Sequence, residues 1–305
     1  YVLAPRVREL PRQKGEAEAT TCPIVQAAPD IVGKLAGAKH KPRLLTPRVD
    51  IGPDNFASDR FRASVRELAA SLGQLAHWEP AYEAACRRQQ TFDRSLKEIG
   101  ARALAFAREH DLVAVVVLGR AYTIYNTLLN SNVPNLLREQ GALAIPVDCY
   151  PIEEDTPVFS DMYWGYSQAN LRAAHQIRRT DGEYAVFCSN YSCGPDSFNL
   201  HIFSYVMENK PFAIIETDGH SGDAGTKTRI EAFLYCVESD RRLEAARRAA
   251  LPRRNFKAIE ADKISVADAK RREELVLLPR MGQAAPEVFA ELFRAEGFRV
   301  ECLAM

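Results

Sequence analysis

Apolar positions along the chain fall into two regimes. Between Phe56 and Glu109 they recur at helical spacing. Phe61, Val65, Leu68, Ala69 and Leu72 make one stripe; Tyr82, Ala85, Phe92, Leu96, Ile99, Leu104 and Phe106 make another from about Trp78. From Leu112 the apolar residues bunch into short runs at 113–118, 143–149, 184–188 and 211–216. Continuous runs of that length suit strands buried on both faces. Helical patterns follow them at 128–139, from 160 to 179, over Phe198, Ile202, Tyr205 and Val206, and from about Thr226 to 239. The alternation predicts an α/β fold of mostly parallel open sheets with helices on both faces and a helical N-terminal part.

The same pattern suggests three regions. Residues 1–111 form an N-terminal segment with a Cys motif and helices, able to complete a second α/β subdomain. Residues 112–239 form a central α/β domain. Residues 240–305 hold a charged linker, to about 273, and a strand–helix–strand unit at 275–278, 286–296 and 298–303. The strands starting near Val113, Leu143, Tyr184, Phe212 and Leu275 are expected as neighbours in one or two sheets. The first 21 residues, polar and containing Pro, read as a surface arm. A short strand at 44–49 is broken by prolines.

Candidate chemistry sits at the strand ends. Cys193-Gly194-Pro195-Asp196-Ser197 follows a strand and carries Pro and Asp in a helix's first turn. A thiol there faces the positive end of the helix dipole, so its thiolate is expected to be favoured. The competing reading is a buried small residue. Cys22-Pro23 offers a second thiol at a helix start, with a structural Cys as the alternative. Gly119-Arg120 ends the first buried strand; Gly lets the backbone approach a ligand and Arg supplies a bidentate cation, or the pair is a plain turn. The loop from Asp218 through His220, Ser221 and Asp223 to Thr226 closes a second strand–loop–helix unit. In a parallel sheet these loops belong on one edge.

Composition narrows the classes. Forty basic and forty acidic residues cancel, which gives no support for a nucleic-acid surface. No apolar stretch spans a membrane. Seven scattered Cys without a CxxC pair point to a cytoplasmic protein with free thiols, not a disulfide scaffold. The missing initiator Met and the final strand suggest a piece of something longer. The G-x-G-x-x-G spacing, a Walker lysine loop, G-x-S-x-G and H-E-x-x-H are all absent.

The segments GRAYTIYN, VDCYP, MYWGYSQANLRAA, SNYSCGPDSF, KPFAIIETDGHSGDAGTKTRIEAF and LLPRMG, with CPIVQAAPDIV near the start, resemble the activase-related region of the large 2-hydroxyacyl-CoA dehydratase activator proteins. The likeness runs from about Cys22 to Met305 and is less characteristic across 78–110. It implies flavodoxin-like or Rossmann-like domains and an ATP-dependent dehydratase/activase system. It further implies a 4Fe–4S iron–sulfur cluster held by Cys, and low-potential electron transfer. Cys22 and Cys193 are the expected metal ligands, with Cys149 a weaker third. Gly119, Arg120, Tyr122, Asn126, Gly194, Asp196, Ser197, Asp218, His220, Ser221, Asp223 and Thr226 are the expected cofactor-binding positions. Expected partners are other domains of a longer chain, activator or dehydratase subunits, acyl-CoA, or a second copy of the chain. Two positions depart from the family: Gly219 replaces a frequent acidic residue, and Cys149 occupies an aromatic position. No ATP-site motif is evident. A scaffold or docking module without metal, and an acyl-CoA or anion-binding domain, remain as alternatives.

Overall fold

The structure, a computed structural model, describes residues 1–35, 44–51, 54–159, 161–217, 223–247, 265–279 and 285–303. Two compact units form, Tyr1–Phe256 and Lys257–Met305. The first opens with strands β1 (Val2–Leu3) and β2 (Arg6–Val7). Helix α1 (Pro23–Leu35) follows, then β3 (Leu44–Leu45) and β4 (Arg48–Val49). β1 pairs parallel with β3, and β2 with β4. Pro5 and Pro47 split each line of pairing into short pieces, since proline gives no N–H to a ladder.

The N-terminal stretch is paired into short strands, while most of its residues stay exposed or half-buried, as its polarity suggests. Its pairing continues through an antiparallel bridge of Glu9 to Thr20 and a parallel bridge of Thr20 to Trp164. Glu16 is buried against Arg172, at 3.5 Å, with both side chains under 5% exposed. These two polar residues are matched with each other, so their polarity did not mean solvent.

Helices α2 (Asp59–Ser71) and α3 (Trp78–Glu109) carry the two helical stripes, and Phe61 stacks edge-on to Tyr82 at 5.8 Å. α3 leads to β5 (Ala114–Leu118), α4 (Ala121–Ile124), α5 (Val133–Glu139) and β6 (Leu143–Pro146). Next come α6 (Gly165–Arg179), β7 (Glu183–Asn190), α7 (Gly194–Met207), β8 (Phe212–Thr217) and α8 (Asp223–Arg247). The four strands β5 to β8 form one all-parallel sheet in the order β6-β5-β7-β8. α6 packs on α7, and α5 on α8, which places helices on both faces as right-handed crossovers require. Every side chain of β5 is buried, as is nearly all of β7, and Phe187, Phe203 and Phe212 stack in succession over the core. Each large side chain buried there contributes roughly 1.5–3 kcal/mol.

The second unit holds α9 (Val266–Arg271), β9 (Leu275–Leu278), α10 (Ala285–Ala295) and β10 (Arg299–Cys302). β9 and β10 pair parallel around α10, so Leu275 lies in a separate two-stranded sheet from the other four predicted strands. No helix among the described residues is long and apolar enough to cross a membrane.

Candidate functional site

In the order β6-β5-β7-β8 the chain leaves β5 toward one side and β7 toward the other. The carboxyl ends of β5 and β7 thus flank a topological switch point, where open α/β sheets bind ligands. Arg120 follows β5 and Asn190 ends β7. They meet there.

Arg120 is 8% exposed. Its Nη1 donates to Cys193 Sγ at 2.7 Å, and its Nη2 donates to Asn190 Oδ1 at 2.9 Å and lies 3.0 Å from Asp196 Oδ2. The guanidinium also sits 5.1 Å from the Tyr122 ring. Asp196, 2% exposed, accepts a second bond from Ser189 Oγ at 2.6 Å. Burial works to lower the Arg120 pKa, and Asp196 leads the groups that raise it, with a net upward result. The cation that sequence reasoning offered to an outside anion is thus already opposed by a carboxylate from its own chain. Its Nε remains buried without a partner.

Cys193 caps the N-terminus of α7. Its carbonyl accepts the Ser197 N–H at 3.0 Å and the Ser197 hydroxyl at 2.8 Å. The expected thiolate preference does not hold. Burial pushes the thiol up, outweighing the Asp196 backbone N–H and Arg120, which pull it down. The helix-end argument ignored desolvation, which acts against any charged form.

Cys22 stands at the start of α1, and its carbonyl accepts the Gln26 N–H at 3.1 Å. The bridge of Thr20 to Trp164 brings it to the start of α6. There it lines a narrow cleft of about 20 Å³ with Arg120, Tyr122, Trp164, Tyr166 and Asp196. Tyr122 is pushed up to about 12, chiefly by burial; Cys22 and Cys193 both add to the shift and Arg120 opposes it. Cys22 thus shares a cleft with Arg120, the residue that bonds Cys193.

Other expected positions separate from this group. Cys149 is buried beside Asp148 and Tyr125, under α3, and burial pushes its thiol up. A Cβ on Gly100 of α3 would fall 1.8 Å from the Cys149 carbonyl oxygen. Cys149 follows β6, on the far side of β5 from Cys193, so it does not complete their ligand set. Among the described residues, no group of three or more His, Cys, Asp or Glu is arranged to hold a metal ion. Gly119 has φ +146°, and a Cβ there would stand 2.7 Å from the Cys188 carbonyl oxygen. Asn126 Oδ1 accepts the N–H groups of Leu128 and Leu129, closing a turn. Gly194 borders open space, and Ser197 is exposed. Thr226 is buried on α8, while Asp218, His220 and Ser221 lie outside the described residues, as does the side chain of Asp223. Cys188 is fully buried in β7 and pushed up to about 12; Cys236 is exposed.

Sequence reasoning missed Asn190. Its Oδ1 accepts from Arg120 and Thr123, and its Nδ2 donates to Thr217 Oγ1 at 3.0 Å, tying the ends of β5, β7 and β8 together. A polar amide closing an apolar run was the available signal. Asn170 on α6 was missed as well; its Oδ1 accepts the Gly119 N–H at 3.0 Å.

Residues 1–150 match the model of the CoA enzyme activase uncharacterised domain (DUF2229). The match takes in Cys22, Arg120 and Cys149 and ends before Cys193. No curated protein and no solved structure matches the chain.

Proposed function

We propose that this chain, whose residues 1–150 belong to the CoA enzyme activase uncharacterised domain family, serves a CoA enzyme activase system through the Cys22–Cys193 site. In this reading the system is of the 2-hydroxyacyl-CoA dehydratase type, and the two thiols are half of an iron–sulfur ligand set. The observation that carries it is that Cys22, at the start of α1, lines one cleft with Arg120, whose guanidinium bonds Cys193 at the start of α7. Thiolates suit iron clusters, and a neighbouring cation and helix N-terminal N–H groups offset cluster charge.

Alone, the described residues do not fit a complete cluster. Two thiols fall short of the usual four ligands, and a cleft of about 20 Å³ holds little more than one water. The remaining ligands belong, in this reading, to another segment or subunit. One observation favours the alternative of a docking module without metal: Arg120 and Asp196 neutralise each other within the chain.

Anaerobic reconstitution of the 305-residue chain with iron and sulfide separates the two. A brown chain whose iron content drops on Cys22→Ala and on Cys193→Ala, but not on Cys149→Ala, supports the thiol site. A chain that takes up iron equally well as the Cys22→Ala and Cys193→Ala variants supports the docking module.

A further inference from the structure

A second cleft, of about 440 Å³, opens beside the thiol site at the carboxyl ends of β5 and β6. Its volume lies in the range of small-molecule sites, about 300–1,000 Å³. Gly119 after β5 and Asp148 after β6 line it, and α3 supplies Phe92, Asp93 and Lys97. Neither the thiols nor Arg120 line it.

Its chemistry is specific. Asp148 Oδ1 accepts the Tyr125 hydroxyl at 2.7 Å, which fixes the carboxylate just past β6, the sheet's second strand along the chain. Among the described residues Asp148 forms no ion pair, although Lys97 in the same cleft feels its charge. Phe92 presents a ring that is 57% exposed, a face on which a planar base can stack. Lys97 is held by the Tyr150 carbonyl at 2.9 Å, and burial lowers its pKa. Glu16, Asp93 and Asp148 line the cleft with Arg12 and Lys97, so its lining leans negative. An acidic side chain after the second strand of an open parallel sheet is placed to accept ribose hydroxyls.

We infer that this cleft binds a ribonucleoside with a free vicinal diol, the ribose on Asp148 and the base on Phe92. The inference is independent of the thiol site. A 3′-phosphate, as coenzyme A carries, removes one hydroxyl and places an anion against Asp148. The cleft therefore discriminates against coenzyme A and favours adenosine, AMP or ATP.

Titration of the full chain by calorimetry tests this, with adenosine as the probe. Adenosine should bind, and 2′-deoxyadenosine and 3′-phosphoadenosine should bind at least tenfold more weakly. Asp148→Asn and Phe92→Ala should each weaken adenosine at least tenfold, while Cys22→Ala and Cys193→Ala leave it unchanged. Phe92 is exposed, so its variant reports even where Asp148→Asn fails to fold. No heat with adenosine, equal affinity for the deoxy compound, or coenzyme A binding as tightly as adenosine overturns the inference.

Discussion

Arg120 decides how the thiol site behaves. A buried ion pair is weak evidence of net stability, but removing one partner strands a charge and costs about 3–5 kcal/mol. Asp196→Asn leaves Arg120 without its opposing carboxylate and should lower unfolding stability by about that amount, read from urea denaturation. Arg120→Lys keeps the charge but loses the fork that reaches Cys193, Asn190 and Asp196 at once, and should also destabilise. A wild-type unfolding midpoint in both variants would contradict the network. Cys193 gives a pH test. Its pKa is raised by burial while Arg120 pulls it down. Alkylation of Cys193 should stay slow at pH 8 and accelerate only above the ordinary thiol value of 9.0. Arg120→Met should move that rise further up. Fast labelling of Cys193 at pH 7 would mean the thiolate is favoured after all.

At the scale of elements, α3 is pinned to β6 by a glycine. Replacing Gly100 with Ala brings about 1 kcal/mol of helix propensity. Against it stands a Cβ 1.8 Å from the Cys149 carbonyl oxygen, a clash with backbone that no rotamer change relieves. The clash wins, and Gly100→Ala should lose about 1–3 kcal/mol by thermal or urea unfolding. A stabilised variant would place α3 elsewhere. The elements themselves were largely legible. The Trp78–Glu109 helix and the 113–118 and 275–278 strands follow from apolar spacing, because core-facing positions must repeat with the element's own period. The helix expected from Ser160 instead begins at Gly165, since Gln168 uses its side chain to hold the loop at Phe159 and Met162. Asymmetric loop contacts of that kind leave no period in the sequence.

Across the whole molecule, the parallel sheet and the meeting of Arg120 with Cys193 and Asp196 could be read from strand ends alone, because a parallel sheet sends all its carboxyl ends to one edge. The polar N-terminal arm could not. Its docking rests on Glu16 finding Arg172, more than a hundred and fifty residues later, and such pairing is invisible to local patterning. Nor could the exclusion of Cys149, which depends on α3 packing over the end of β6. The central claim is that Cys22 and Cys193, remote in sequence, act as one metal half-site while the other thiols do not. Alkylation mapping by mass spectrometry, on the chain before and after anaerobic loading with iron and sulfide, addresses it directly. The account predicts that iron protects Cys22 and Cys193 together and leaves the labelling of Cys86 and Cys236 unchanged. Equal labelling of Cys22 and Cys193 with and without iron, or protection of only one of them, would contradict it.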